Sequence, residues 1–478
     1  MIDYELVIGL EVHCQLSTNS KIFCGCRTAF GDAPNRNTCP VCLGLPGALP
    51  VMNARAVALA TQASLALRCT IHHESVFARK NYFYPDLPKG YQISQFDKPL
   101  ATGGVIVIGP DAHGDARNIN ITRVPMEEDA GKSVHVRFSG VTAIDLNRAG
   151  TPLIEIVSEP EIRSAHDAGA YLRQLKQILE YTGVSDANME EGSLRVDVNI
   201  SVRPRGDQTL GTKTEIKNLN TFSGAERAID IEYARQCSVL RAGGTIEQQT
   251  MLWDGHRNEI RPARSKEGSH DYRYFPDPDL PPLVLSDAFV QLQRDGLPEL
   301  PRVRRDRFVA IHGVSVAEAD QLTAHRALAT YFEQVASACD DAKRAANWVL
   351  GVLLAAINAG SGTVERPPVS ASRVAALIRM ESKGTVSNSA ARQLFSLLIA
   401  GDADPHELAE RVGLLKVTDD SALEQWVTEV FAEMPTEAQR FVAGETKLQG
   451  VLVGRVMKKS NGAADPKKVN QILAARVG

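Results

Sequence analysis

The feature that most constrains the fold is a change of hydrophobic periodicity on the two sides of a proline-rich stretch, residues 276–282 (PDPDLPP). Proline lacks a backbone donor and restricts the residue before it, so this stretch cannot continue a helix or a central strand. Before it, apolar residues alternate with polar ones. After it, they recur at helical spacing, and no convincing strand follows about Pro301. The chain is therefore predicted to divide near this point.

Two long strands and one helix stand out before the prolines. The first strand has apolar side chains at every even position from Ile2 to Leu16, and the second alternates from Leu194 to Val202. Ser164 begins a capping pattern for a helix that runs to Gly183. Mixed strands and helices with one polar sheet face indicate an α+β domain.

The remainder of the chain is predicted to be helical. Apolar residues at helical spacing mark several helices, and the last has Asp465 as its N-cap and Pro466 at its first position. A weaker boundary lies in the turn-like stretch 401–412. We therefore expect an α+β domain over 1–292, an all-α domain over 293–408 and a small all-α tail over 409–478, close to the number expected at ~150 residues per domain.

Composition excludes several classes of protein. The chain has 478 residues, is 44% hydrophobic and carries a net charge of -4, which argues against a surface that is basic throughout and grips nucleic acid everywhere. Its N-terminus lacks a basic region before an apolar one, and no uncharged apolar run reaches the ~18 residues of a membrane span. These features predict a cytoplasmic protein with no membrane association.

Four of the eight cysteines form two close pairs, Cys24 with Cys26 and Cys39 with Cys42. Two such pairs joined by a loop can surround one tetrahedral zinc ion, which would have a structural role if no ligand position stayed open. Unpaired reduced thiols and a redox pair are the alternatives. In a chain without a signal peptide, disulfides are the less favoured use.

A second candidate site is acidic and spread over several strands. Glu11 and His13 project from the same face of the first strand. Glu155 lies within an apolar strand, where an isolated carboxylate is costly unless it is paired or bound to metal. Carboxylates with one imidazole suit a magnesium ion that holds nucleotide phosphates. A solvated sheet face and a salt bridge are the alternatives, and the triplet of residues 127–129 (EED) also fits a plain loop.

Several long segments resemble the B subunits of the heterotrimeric Glu-tRNA(Gln)/Asp-tRNA(Asn) amidotransferases. They occur in order along essentially the whole chain: residues 7–13 (VIGLEVH), 79–86 (RKNYFYPD), 91–97 (YQISQFD), 126–132 (MEEDAGK), 145–155 (DLNRAGTPLIE) and 271–276 (DYRYFP). The resemblance implies a cradle domain with a glutamine-synthetase-like core, followed by a helical domain and a tail. It also implies a cytoplasmic heterotrimer in which the partners are an amidase and a small third protein.

The activity that the resemblance implies is ATP-dependent phosphorylation of the carboxylate of misacylated Glu-tRNA(Gln) or Asp-tRNA(Asn), followed by amidation with ammonia from the amidase. The implied magnesium ligands and catalytic residues are Glu11, His13, Glu128 and Glu155. Further phosphate or metal contacts are expected at Asp197, Lys213 and Glu215. The four cysteines, Cys24, Cys26, Cys39 and Cys42, resemble the zinc site of some family members. A non-catalytic, zinc-bearing tRNA adaptor is the alternative function.

Charge changes sign abruptly within the tail. Acidic residues dominate positions 419–445, whereas basic residues dominate from 447 to the end. The predicted tRNA-binding residues are Arg455, Lys458, Lys459, Lys467 and Lys468. The first three share one helical face, and the resemblance favours contact with the tRNA body. The alternative is a solvated face that balances the acidic helix before it.

Overall fold

The computed structural model describes residues 2–109, 115–134, 141–263, 272–416, 419–460 and 462–477. Asp271, the first residue of the 271–276 motif, lies outside the described residues. The chain forms two compact units, Met1–Leu300 and Pro301–Gly478. The division falls shortly after the proline-rich stretch, where the sequence predicts a change of fold. Within the described residues, no helix is long and apolar enough to span a bilayer.

The first unit is mixed α/β. Its elements along the chain are β1 (Tyr4–Gln15), α1 (Ala54–Ala66), β2 (Thr70–Ile71), β3 (Glu74–Ser75), β4 (Ala78–Asn81), β5 (Tyr91–Ser94), β6 (Ala101–Thr102), β7 (Val105–Ile108), β8 (Arg117–Val124), β9 (Met126–Glu128), β10 (Lys132–Val134), β11 (Ala143–Asp145), β12 (Pro152–Ser158), α2 (Ala165–Thr182), β13 (Leu194–Pro204), β14 (Thr214–Leu219), α3 (Phe222–Arg241), β15 (Gln249–Asp254), β16 (Glu259–Pro262), β17 (Phe275–Pro276), β18 (Leu283–Val284) and α4 (Asp287–Asp295).

A large sheet organises this unit. Among the described strands its order is β16-β15-β14-β13-β1-β12-β8-β6-β2, with β7 paired to β8 and β9 paired to β12. Neighbouring strands are antiparallel except β14 and β15, which are parallel and are connected through α3. A smaller sheet has the order β17-β4-β5. The two long strands predicted from alternation, β1 and β13, pair with each other at the centre of the large sheet.

Alternation decides which face of the large sheet is buried. Ile8, Leu10 and Val12 of β1 are fully buried in the same core as Tyr171 and Leu172 of α2. Burying one such aliphatic side chain contributes about 1.5–3 kcal/mol, so the apolar face is held firmly against the helices. The odd-numbered residues of β1 consequently project from the opposite face of the sheet, which is polar.

The helix predicted between Ser164 and Gly183 is confirmed as α2. Ser164 Oγ accepts a hydrogen bond from the backbone N–H of Asp167 at 3.0 Å, so one of the first-turn donors is satisfied. Gly183 ends the helix with φ of 70°, a left-handed conformation that glycine adopts without a steric penalty.

The second unit is helical throughout its described residues. Its α-helices are α5 (Pro301–His312), α6 (Val316–Leu322), α7 (Arg326–Cys339), α8 (Ala342–Asn347), α9 (Leu354–Asn358), α10 (Ala371–Ser382), α11 (Asn388–Leu398), α12 (Pro405–Arg411), α13 (Asp420–Glu433), α14 (Pro435–Val442), α15 (Gln449–Lys459) and α16 (Pro466–Ala474). A π-helical segment, Trp348–Leu353, joins α8 to α9. The regular periodicity of the sequence did not indicate that irregular turn.

Two separate cores stabilise the second unit. One extends from Phe308 to Ala409, and the other from Leu423 to Leu473. Leu414 and Leu415 still pack against the first of these cores. The final helix has the predicted N-cap, because Asp465 Oδ1 accepts a hydrogen bond from Lys467 N at 2.8 Å.

Removing the N-cap of α2 should loosen its first turn. Ser164→Ala deletes the acceptor for Asp167 N, which should cost about 1 kcal/mol. Exchange of the Asp167 amide hydrogen should then become roughly fivefold faster, as measured by native-state hydrogen exchange. Ser164→Asp restores an acceptor and serves as the matched control. Equal exchange rates in both variants would show that the cap contributes nothing here.

Candidate active site and metal centres

Strand register places acidic side chains together on the polar face of the large sheet. Glu11 of β1 lies opposite Asp197 of β13, and His13 lies opposite Glu155 of β12. Glu215 of β14 follows one strand further on, opposite Asn199 of β13. Directly opposed residues project from the same face of a sheet and are close enough to interact. Residues far apart in the sequence therefore form one surface.

Three carboxylates on this face converge. One oxygen from each of Glu11, Asp197 and Glu215 lies within 4.8 Å of the others. Lys217 Nζ lies 2.8 Å from Asp197 Oδ2 and 3.0 Å from Glu215 Oε1, which offsets part of their repulsion. Asn199 Nδ2 donates to Glu11 Oε1 at 2.9 Å and holds that carboxylate in place. The oxygen donors suit a magnesium ion.

His13 and Glu155 extend the same surface toward β12. Burial lowers the pKa of the His13 imidazole, which favours the neutral form that binds metals. Burial, together with the nearby carboxylates of Glu127 and Glu11, raises the pKa of Glu155 to about 8. A buried carboxylate among like charges is costly. A cation on this surface would relieve that cost.

The acidic triplet divides between two neighbouring networks. Glu128 accepts a hydrogen bond from Ile93 N at 2.8 Å and pairs with Lys89. Glu127 is paired in register with Leu153, two residues before Glu155, so its side chain projects from the face that carries Glu155. The triplet's third residue, Asp129, pairs with Arg195 at 2.8 Å. Glu127 thus lies beside Glu155, whereas Glu128 contacts Lys89 and Ile93.

Of the three further residues predicted to contact phosphate or metal, Asp197 and Glu215 belong to the cluster of three carboxylates. Lys213 is exposed and lies one residue before β14. The lysine that pairs with those carboxylates is Lys217. Lys217 was missed, although it lies two residues beyond Glu215 and therefore on the same strand face.

An aromatic wall beside the carboxylates was also missed. Tyr274 stacks on Phe96 at 4.2 Å between ring centroids and contacts the edge of Tyr272 at 6.0 Å. Lys80 Nζ lies 4.8 Å from the Tyr272 ring centroid. Burial and the charges of Glu127 and Glu155 raise the pKa of Tyr274, so this ring lies near the acidic surface. Aromatic side chains with a lysine suit stacking of a nucleoside base.

The four cysteines of the predicted zinc site converge. One Sγ atom from each of Cys24, Cys26, Cys39 and Cys42 lies within 4.8 Å of the other three. Cys39 N donates to Cys42 Sγ at 3.1 Å. The hydrogen bond from the Cys24 thiol, the backbone at Cys39 and the charge of Lys21 hold the pKa of Cys42 at about 4. Four convergent sulfur donors, one of them already favoured as thiolate, fit tetrahedral zinc.

A buried lysine lies beside this cysteine cluster. Lys21 is 0% exposed, and its Nζ donates to Asn37 O at 2.7 Å and to Leu146 O at 3.2 Å. Its first partner lies in the cysteine loop, and its second lies in the segment that leads to β12. Buried ammonium groups are costly without opposite charge nearby. Thiolates at the cluster would supply that charge.

Comparison with known proteins identifies the family of this chain. Residues 6–291 match the family model described as the GatB/GatE catalytic domain, and residues 330–477 match the GatB domain. The chain belongs to the GatB family. It is 48% identical over 476 residues to the B subunit of the aspartyl/glutamyl-tRNA(Asn/Gln) amidotransferase from Chlorobium phaeobacteroides, and 49% identical over 479 residues to that from Geobacter sulfurreducens. Each alignment covers 100% of both chains.

In this GatB-family chain, most of the predicted tRNA-binding side chains of the tail are already in ion pairs. Arg455 and Lys459 both pair with Glu433 of α13, at 2.9 and 2.6 Å. Lys468 pairs with Asp420 at 2.9 Å. Within the described residues, Lys458 and Lys467 form no ion pair. For three of the five residues, the positive charge is therefore balanced by an acidic residue of the tail, which is the alternative that the sequence left open.

One zinc ion per chain is expected at the four cysteines. Cys42→Ser removes one of four thiolates, so zinc content should fall well below one equivalent by elemental analysis after purification in metal-free buffer. Cys339→Ser, which changes a cysteine of the second unit, should keep one equivalent. Wild-type protein with much less than one zinc would reject the site.

Proposed function

We propose that this chain phosphorylates the side-chain carboxylate of misacylated Glu-tRNA(Gln), Asp-tRNA(Asn) or both with ATP, and then directs ammonia to the activated group. The observation that carries the proposal is the cluster of three carboxylates, from Glu11, Asp197 and Glu215, beside His13 and Glu155. The names of the full-length relatives, amidotransferase B subunits acting on aspartyl- and glutamyl-tRNA, support the same substrate class.

The chemistry requires activation because a carboxylate is a poor acyl electrophile. A carboxylate oxygen of the substrate attacks the γ-phosphorus of ATP, and ADP leaves, so an acyl phosphate forms. Ammonia then attacks the acyl carbon, the carbon–oxygen bond to phosphate breaks, and loss of a proton from nitrogen gives the amide. Both steps balance with ATP and ammonia as the only co-reactants.

Magnesium bound at this surface would neutralise charge on the transferring phosphoryl group. The residues that would hold it are Glu11, Asp197 and Glu215, with His13 and Glu155 on the adjoining part of the face. Lys217 and Asn199 hold the carboxylates through the contacts described above. In this proposal Glu127, which lies beside Glu155, takes the ligand role that the family resemblance implied for Glu128.

The identity of the domains and of the partner chains is part of the same proposal. We assign the first unit a cradle with a glutamine-synthetase-like core, supported by a broad antiparallel sheet that carries clustered carboxylates on its polar face. The two separate cores of the second unit support a helical domain and a tail. An amidase and a small third protein would complete a heterotrimer, because ammonia must come from another chain.

Changing Glu155 tests the kinase assignment. In the reconstituted complex, Glu155→Ala should abolish tRNA-dependent ATP hydrolysis and amide formation, because it removes a carboxylate ligand from the proposed metal surface. Glutamine hydrolysis by the partner should persist at a basal level. Glu74→Gln, an exposed acid paired with Lys98, is the control. Normal ATP turnover by Glu155→Ala would exclude this assignment, whereas a wild-type complex without tRNA-dependent ATP turnover would favour the adaptor alternative.

The tail should contribute to tRNA binding through its unpaired lysines. Lys458→Gln combined with Lys467→Gln should weaken tRNA binding and reduce the log–log salt slope by up to ~0.9 for each lost phosphate contact. Arg455→Gln with Lys459→Gln should have a smaller effect, because Glu433 and Glu429 already neutralise those groups. A chain ended at Lys416 should show the largest loss. If it binds mischarged tRNA with unchanged affinity and slope, the tail is only a structural cap.

A further inference from the structure

A polar cavity of about 690 Å³ lies at the N-terminus of α3, away from the carboxylate group. The β14–α3 junction forms one side of it, and the turn between β15 and β16 forms the other. The lining residues that matter here are Asn220, Ser223, Arg227, Trp253, His256 and Arg261. None of these residues enters the chemistry proposed above.

The indole N–H of Trp253 faces this cavity without a hydrogen-bond partner in the described part of the chain. Trp253 is only 2% exposed, yet it lines the cavity together with Gly255. A Cβ at Gly255 would lie 3.3 Å from Nε1, and one at Gly224 would lie 3.0 Å from it. The two glycines therefore leave the donor accessible. The ring is buried while its N–H reaches the cavity, so a ligand in the cavity could accept a hydrogen bond from it.

The first turn of α3 adds backbone donors to the same cavity. Thr221 caps the helix by accepting a hydrogen bond from Gly224 N at 3.0 Å. The earlier amides, those of Phe222 and Ser223, have no intrahelical acceptor. The 20-residue helix also directs its positive dipole end toward this point. An anion with several oxygen atoms would satisfy these donors together.

Basic side chains complete the arrangement. Arg227 lies one turn after Ser223 and donates to the neutral amide oxygen of Asn258 at 2.9 Å, so its charge is not neutralised by that contact. Arg261 pairs with Glu259 and lies 3.5 Å from Asp254. Asp254 is itself held by backbone donors at His256 and Arg257, each at 3.1 Å. Among the described residues, Arg227 is thus the cavity arginine that no carboxylate neutralises.

We propose that this cavity binds a backbone phosphate of the tRNA substrate, an inference that rests on the proposed function. Glu215 and Asn220 are five residues apart along β14 and the residue that follows it, so they are separated by at most roughly 17 Å at ~3.3 Å per residue. An ATP molecule held at the carboxylates has its phosphates there. An RNA strand whose 3′ end reaches the carboxylates carries further phosphates across that distance.

Binding of uncharged tRNA to the full-length chain tests the site. Arg227→Gln should weaken binding roughly three- to tenfold and lower the salt slope by about 0.7–0.9, the loss of one phosphate contact. Gly255→Ala places a methyl group over the indole N–H without changing charge and should also weaken binding. Arg241→Gln, at the opposite end of α3, is the matched control and should bind normally.

Three outcomes overturn the proposal: unchanged tRNA affinity and slope in both cavity variants, an equal loss in Arg241→Gln, or a loss of ATP affinity without loss of tRNA affinity. The last would assign the cavity to nucleotide phosphate instead of RNA. Because the tRNA measurement involves no ATP turnover, failure of the proposed kinase activity is recognised separately, by wild-type protein that binds tRNA but does not hydrolyse ATP.

Discussion

The pairing register of β1 with its two neighbours is the constraint on which the rest of the first unit depends. It places Glu11 opposite Asp197 and His13 opposite Glu155. A shift of β1 by one residue would move Glu11 and His13 to the opposite face of the sheet, away from Asp197 and Glu155. The apolar residues of β1 prevent such a shift, because they would then lose their burial against α2 and α3. Packing on one face therefore fixes the positions of charged groups on the other.

Neighbouring side chains on the same sheet face reduce the repulsion between the carboxylates of the acidic surface. Lys217 is shared between Asp197 and Glu215, and Asn199 supplies a neutral donor to Glu11. The positive charges of Arg123 and Lys80 act on Glu155, but burial and the acidic neighbours Glu127 and Glu11 outweigh them and raise its pKa. The surface is thus organised in the protein alone, but it would be more stable with cations bound.

Where the hydrophobic periodicity or the residue spacing was strong, the sequence alone predicted the structural elements. Alternation identified β1 and β13, the capping pattern identified α2, and paired spacing brought the cysteines together. Register across strands could not be read in the same way, because β9 is short and begins where β8 ends. For that reason the sequence alone could not separate Glu127 from Glu128. Ion pairs between helices, such as Glu433 with Arg455, depend on tertiary packing that charge counts do not contain.

The buried Lys21 limits which substitutions the cysteine cluster can tolerate. Its ammonium group is enclosed between the cysteine loop and the segment leading to β12, where the carbonyl oxygens of Asn37 and Leu146 accept its hydrogen bonds. A chain that lost the four thiolates but kept this lysine would bury its charge with less opposite charge nearby, which is destabilising. Substitutions at the cysteines and at the position of Lys21 are therefore expected to be energetically coupled.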